Sequence, residues 1–207
     1  MPYTLKNYDH LLGTPGFSDA LLKNHFTLYQ GYVTNTNKLA DALTGMVKDG
    51  KIGTPEYAEL KRRFGWEFNG MRLHELYFGN MRPVRSQPRR DVGAAAVPPA
   101  GRTSNGVNQK IIEVYGSYDV WEKDFKAVGA MRGIGWAVLY YDPESKEFFN
   151  VWVNEHDMGH LAGAVPLLVL DVFEHAYVLD YGLKRVDYIE AFFKAIDWDV
   201  VEKRFKG

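Results

Sequence analysis

The residues of this chain able to do chemistry are its six histidines, His10, His25, His74, His156, His160 and His175, together with one carboxylate, Asp171. Taken singly, a histidine is ordinarily a satisfied core or surface residue, so placement has to single out those that do more. His25 shares a helix face with Tyr29 and Tyr32, at steps of four and seven, and His74 lies three residues before Tyr77. Each spacing puts an imidazole beside a phenol. Asp171 follows the apolar run Leu167 to Leu170, and His175 comes four residues later in Asp171-Val-Phe-Glu-His175. A carboxylate at a strand end and an imidazole one turn on can converge on one point. Such a carboxylate is costly to desolvate unless it is paired or binds a cation; capping the helix that follows is its other available role. Three neutral imidazoles and a carboxylate suit iron, manganese or zinc and leave a coordination position open for solvent or substrate. A rival site is His156-Asp-Met-Gly-His160, two imidazoles at the spacing of a helical zinc pair in a metal-dependent hydrolase. Gly159 and the lack of Glu after the first His stand against it.

Composition narrows the chemistry further. The 207 residues include no cysteine, which excludes disulfides, thiolate nucleophiles, zinc fingers and cysteine-held iron–sulfur clusters. Any metal site is therefore built from nitrogen and oxygen. Lys and Arg number 25 against 26 Asp and Glu, a formal net charge of -1, which argues against binding nucleic acid by neutralising phosphates. The start has no basic stretch leading into an apolar core, and the longest apolar run, Leu161 to Leu170, is half a membrane span and contains Pro166. The expectation is a soluble, cytoplasmic protein with no membrane or nucleic-acid partner.

The elements that must position these residues follow from periodicity. Ser18-Asp19 precedes Leu21, Leu22, His25, Leu28, Tyr29, Tyr32 and Val33, an N-cap and an apolar helix face running to about Met46, where Gly50, Gly53 and Pro55 break it. A second helix runs from Glu56 to about Met81, making an αα-hairpin over residues 1–81. Residues 82–110 hold Pro83, Pro88, Pro98, Pro99 and six basic residues against the single acid Asp91, and read as a linker. Its Arg85, Arg89 and Arg90 belong to a solvated connector or face an anionic partner. In residues 111–207, Asp119 to Val128 is helical, and Trp136 to Tyr141, Phe148 to Val153 and Leu167 to Leu170 read as short strands. Helical stretches follow around Glu174 to Tyr181 and Tyr188 to Phe193, with a last one after Trp198. The class is α+β: a long N-terminal helical hairpin, then a domain with a small sheet flanked by helices.

The string Leu170-Asp-Val-Phe-Glu-His-Ala-Tyr177, continuing through Lys184-Arg185 and Asp187-Tyr188 to Trp198, strongly resembles the iron/manganese superoxide dismutases. The family signature Asp-x-Trp-Glu-His-Ala-Tyr is kept except that Phe173 stands for Trp. His74-Glu-Leu-Tyr77 with Asn80 is similar to the second-ligand motif, and Gly116-Ser117-Tyr118 and Gly135-Trp136 match central landmarks. The resemblance implies a three-stranded antiparallel sheet and one iron or manganese ion per chain, held by His25, His74, Asp171 and His175 with solvent as a fifth ligand. It implies superoxide as substrate, disproportionated to dioxygen and hydrogen peroxide as the metal alternates between trivalent and divalent states. A family-fold protein that binds metal or a partner without this activity is the alternative.

The resemblance also carries departures. The family's first ligand precedes its gateway tyrosine by eight residues, which here would be Asn24; His25 precedes Tyr32 by seven. Seven fits two turns of a regular helix, so unbroken helix is expected from His25 to Tyr32. Iron-type members place a Gln four residues before the second ligand, where this chain has Gly70; manganese-type members use Asn-Gln-Asp, matched here by Glu155-His156-Asp157. His156 is therefore expected to act beside Tyr32, tuning the metal and its solvent. Trp136 and Tyr77 are kept in the lining, and Phe78 and Phe173 replace tryptophans. Arg185 matches an arginine that attracts the anion, although Val186 follows it in place of Pro. Glu174 matches a residue that reaches across a homodimer to the partner's ligand histidine. Tyr29 and Val178 occupy the places of the other cross-interface pair, both changed, so an altered dimer or higher oligomer is expected.

Overall fold

The structure, a computed structural model, describes residues 2–82 and 106–206. Helix α1 spans Asp19–Lys48 and α2 spans Pro55–Gly79, and the two pack as an antiparallel hairpin. Both starts are capped as the sequence dictates: the Ser18 hydroxyl accepts from the Leu21 N–H, and the Thr54 hydroxyl accepts from the Tyr57 N–H with Pro55 in the first turn. Such caps stabilise a helix by about 1 kcal/mol each. α1 runs without a π-type or other break through His25 and Tyr32, so both project from one face at a spacing of two regular turns. Their shared burial follows from this phase.

Helix α3, Gly106–Tyr115, starts inside the stretch read as a linker, so residues 106–110 are helical; its first amides, on Gly106 and Val107, donate to the Glu202 carboxylate. Arg85, Arg89, Arg90 and the four prolines lie outside the described residues. After α4, Tyr118–Gly129, come β1 Gly135–Asp142, β2 Glu147–Asn154 and β3 Val165–Asp171. The sheet is antiparallel in the order β2-β1-β3, with Trp136 opposite both Val153 and Asp171. The central strand is buried on both faces from Gly135 to Tyr140, which explains its unbroken apolar sequence. Gly135, at φ +134°, lets β1 begin against β2: a β-carbon there would sit 2.0 Å from the Val153 carbonyl oxygen.

The stretch Glu174 to Tyr181, read as helical, is instead a 3-10 turn at Glu174–Ala176 followed by the one-turn helix α5, Val178–Tyr181. The interruption is at Tyr177, whose φ of -145° is not helical. Helices α6, Arg185–Ala195, and α7, Trp198–Lys206, complete the chain. Hairpin and sheet share one apolar core: Tyr77, Phe78 and Met71 from α2 pack in the same cluster as Trp136, Leu168 and Phe192. The cluster spans both halves, so the hairpin face that carries His25 and His74 is fixed against the end of β3. Among the described residues no helix is long and apolar enough to cross a membrane.

Candidate metal centre

Four side chains from four elements meet where the hairpin packs on the sheet. His25 comes from α1, His74 from α2, Asp171 from the last residue of β3 and His175 from the 3-10 turn. One ligand atom from each lies within 4.8 Å of every other. His25 Nε2 is 3.1 Å, His175 Nε2 3.2 Å and His74 Nε2 3.6 Å from Asp171 Oδ2. Asp171 does not cap a helix, since the 3-10 turn that follows has Phe173 at its cap and no side-chain cap bond; its Oδ1 accepts from the Phe173 N–H at 2.8 Å, which turns the chain back on itself, while Oδ2 faces the imidazoles. That turn carries His175 to the carboxylate without a helix between them.

The donor set fits a transition-metal ion. His74 Nδ1–H donates to the Gly70 carbonyl oxygen at 2.5 Å, a partner that can only accept, so Nε2 carries a bare lone pair. That Nε2 is buried and has no hydrogen-bond partner among the described residues. A buried acceptor left unmatched is rare and costly, and a cation on the Asp171 side of the ring would satisfy it. Burial lowers the pKa of His25, against the pull of Asp171, and lowers that of His74 well below the ordinary value, with His25 adding to the effect. These two rings are neutral, as ligation requires. Burial alone would raise Asp171, but His175 and His25 beside it outweigh that, and the carboxyl is held well below the usual range. Three imidazoles and a carboxylate suit iron or manganese.

A second set of contacts joins this cluster to a phenol. The Tyr32 ring stacks on His74, with centroids 5.1 Å apart, and its hydroxyl lies 2.7 Å from His156 Nε2. Trp136 Nε1–H donates to His156 Nδ1 at 3.1 Å. Burial lowers the His156 pKa to about 4, so the ring is neutral. An indole N–H can only donate, so His156 Nδ1 is the acceptor and Nε2 carries the hydrogen, which it gives to the Tyr32 oxygen. The Tyr32 hydrogen is then left for another acceptor. Burial raises the Tyr32 pKa, and the carboxylates of Asp171 and Glu67 raise it further, so the group is a neutral phenol.

Gly70 shows why His156 reaches in from the other half of the chain. A β-carbon on Gly70 would lie 2.6 Å from the Tyr32 ring, leaving no room there for a glutamine. Phe173 stacks on both His156 and His175, Phe78 packs edge-on against His25, and Trp136 packs edge-on against His74. These walls exclude water and strengthen electrostatic effects inside. Tyr77 is fully buried and pairs through its hydroxyl with Tyr188, whose own hydroxyl donates to the Asp171 main-chain carbonyl at 2.7 Å. From the sequence Tyr188 reads only as part of the resembling string and of the helical stretch to Phe193, with no role at the site.

Other expected site residues lie outside the cluster. The Arg185 guanidinium donates to the Met131 and Gly133 carbonyls and to the Tyr177 hydroxyl, bracing the loop that leads into β1. Tyr29, expected at a subunit interface, is buried within its own chain and donates to Glu75 Oε1 at 3.0 Å. Glu174 and Val178 are exposed. The zinc-pair reading of His156 and His160 fails on geometry. The His156 ring points to Tyr32 and Trp136, and His160 uses one nitrogen on the His156 carbonyl and the other on Tyr140.

Residues 103–204 match the family model described as iron/manganese superoxide dismutases, C-terminal domain. Manganese superoxide dismutase 2 of Haloferax volcanii is 35% identical over 207 residues, covering 100% of this chain and 93% of the relative. The iron superoxide dismutase of Aquifex pyrophilus is 36% identical over 211 residues, covering 99% and 92%. That of Sulfolobus acidocaldarius is 33% identical over 195 residues, covering 93% and 87%. With relatives matched along its whole length and a cluster of three imidazoles and a carboxylate between its two halves, the chain belongs to the iron/manganese superoxide dismutase family.

Proposed function

We infer that this chain is a superoxide dismutase, using one iron or manganese ion per chain to convert two superoxide anions and two protons into dioxygen and hydrogen peroxide. The observation that carries the reading is the bare, buried Nε2 of His74 facing Asp171, His25 and His175. When bound there, the ion supplies one-electron chemistry, accepting an electron from one superoxide and giving it to the next. His25, His74, His175 and Asp171 hold it, and Asp171 lowers the net charge of the site by one.

The protein's own part is to exclude water and deliver a proton. Trp136, Phe78, Phe173 and Tyr77 close the site with apolar surface. His156 is locked by Trp136 as an Nε2–H donor to the Tyr32 oxygen, which leaves the Tyr32 O–H to serve an acceptor in the site. Superoxide turning into peroxide is such an acceptor, since it gains negative charge as it is reduced. Arg185, with Lys184 next to it, adds positive potential near the 3-10 turn that bears His175, which favours a small anion. The exposed Glu174 is the residue through which a second copy would reach His175, giving a homodimer. Cytoplasmic location accords with the lack of cysteine.

Metal analysis of the purified chain together with a superoxide-consumption assay tests the reading. About one iron or manganese per chain with rapid consumption is expected. A chain that holds the metal and is inert has a binding role instead.

A further inference from the structure

His160 falls outside the metal cluster, yet both of its ring nitrogens are committed. Nε2 lies 2.9 Å from the main-chain carbonyl oxygen of His156, and Nδ1 lies 2.8 Å from the Tyr140 hydroxyl. A carbonyl oxygen can only accept, so Nε2 carries the hydrogen; in the neutral ring Nδ1 then accepts from Tyr140. The hydrogen on His160 Nε2, held by the His156 carbonyl, is thus fixed by chemistry.

The loop they act on is tight. β2 ends at Asn154, whose N–H donates to the Met158 carbonyl at 2.8 Å, while the Met158 N–H returns to the Asn154 carbonyl at 3.3 Å. Between them Glu155 adopts a left-handed conformation at φ +49°, unfavourable for a residue with a β-carbon. Gly159, at φ +97°, passes so close to β2 that a β-carbon would lie 3.0 Å from the Trp152 carbonyl oxygen. The strained turn throws His156 inward, and a strained conformation persists only where its surroundings over-determine it. Strand β1 supplies that determination at two points. Trp136 and Tyr140 lie four residues apart on the same face of β1. Trp136 holds the His156 ring through Nδ1, and Tyr140, through His160, holds the His156 main chain.

We propose that His160 and Tyr140 are positioning residues for the proton-handling pair: they fix the His156 backbone so that its Nε2–H stays on the Tyr32 oxygen. The proposal rests on the role given above to His156 and Tyr32, but its first test does not use activity. Nitrogen-15 NMR of the histidine rings in the metal-free full chain is expected to show His156 as a single Nε2–H tautomer with a slowly exchanging hydrogen. In His160→Ala that hydrogen exchanges at least about tenfold faster as the loop opens locally, and the tautomer signal becomes mixed. His160→Gln, which keeps an N–H donor near the Nε2 position, returns exchange to within about twofold of the parent. Tyr140→Phe, which removes only the hydroxyl, falls between, and with His160→Gln it decides the question where His160→Ala does not fold. In the metal-loaded protein, kcat falls about fivefold in His160→Ala at unchanged metal content, less than the 10- to 100-fold typical of a direct partner of a ligand.

If all three variants leave the His156 tautomer and exchange as in the parent while the melting temperature drops, His160 is only structural and the proposal is overturned. If the NMR changes appear but His156→Ala leaves activity intact, the positioning stands and the role assigned to His156 fails.

Discussion

The two imidazole assemblies of this protein, side by side, are built on opposite rules. Around Asp171, three rings point nitrogens at one carboxylate oxygen, and the His74 nitrogen is left without any hydrogen. Around His156, every ring nitrogen is matched to a partner of fixed direction, with Trp136 donating to Nδ1 and Nε2 donating to Tyr32. The first leaves the His74 nitrogen unsatisfied, where the proposed cation would match it. The second is satisfied without one and leaves a single loose end, the Tyr32 hydrogen. At His74 a lone pair is left bare, as the proposed ion would need, and at His156 the donors are locked, as the proposed proton delivery would need. Both sit in the same apolar enclosure, so the difference comes from hydrogen-bond partners rather than from burial.

The largest effect comes from breaking the first assembly. Asp171→Asn removes the charge that three imidazoles face and substitutes an amide that is a poor ligand. Partners of metal ligands already cost 10- to 100-fold when removed, so this change is expected to reduce metal content and activity by more than about a hundredfold. Metal analysis and the superoxide assay on the same preparation check it; a variant that keeps its ion would mean Asp171 is not a ligand. Breaking the second assembly should spare the ion. Tyr32→Phe is expected to keep full metal content and lose roughly a hundredfold in turnover if its O–H is the general acid. Retained turnover would move the proton source elsewhere.

How much of this was legible in the sequence depended on where the partners lie along the chain. Asp171 and His175 are four residues apart, and their convergence could be read locally, although the turn joining them could not: the Asp171 side chain bonds the Phe173 amide and replaces a helical bond. His25 and His74 were legible as face residues of two helices, because periodicity predicts which side of a helix is buried. Tyr188 and the Tyr140–His160 pair were not, since Tyr188 reaches Tyr77 and Asp171 through the packing of α6 on the core, and Tyr140 meets His160 across the loop after β2, which no spacing encodes. Glu75 was missed for a related reason. It is buried as an acceptor from Arg72 one turn before it on α2, from Tyr29 across the hairpin and from Lys6 of the N-terminal segment, and the last two contacts depend on how α1 and that segment pack on α2. Arg185 was read from its charge as a guide for an anion; that its donors also brace loop carbonyls is something no pattern reveals.

Gly70 stands between the two assemblies, its carbonyl fixing His74 and its missing side chain leaving space for the Tyr32 ring. In a helix interior Gly→Ala ordinarily gains 0.5 to 1 kcal/mol. Here the new β-carbon would lie 2.6 Å from a ring already held between His74, Trp66 and His156. Overpacking of this kind costs about 1 to 3 kcal/mol, so Gly70→Ala is expected to destabilise by roughly 1 kcal/mol net. Urea unfolding checks the sign. A gain in stability would show that the Tyr32 ring moves freely, and the locked geometry of the second assembly would be lost with it.

The last effect reads protonation directly, in the metal-free chain. His156 titrates near 4 when folded, against about 6.5 for an unperturbed histidine. Between these values the unfolded chain binds a proton that the folded chain refuses. Stability contributed by the neutral ring is therefore present above about pH 6.5 and lost as pH falls toward 4, by up to roughly 1.4 kcal/mol per pH unit for one proton. His25 and His74 are lowered as well and act in the same direction; Asp171, also lowered, adds a loss only once the pH falls below its unfolded value near 4. Unfolding free energies measured from pH 7 down to about 5 should accordingly fall. In His156→Gln the slope should flatten by about one proton while the part due to the ligand rings remains. An unchanged slope would mean that His156 takes up its proton in the folded chain, and Trp136, which can only donate, could not then be hydrogen-bonded to it.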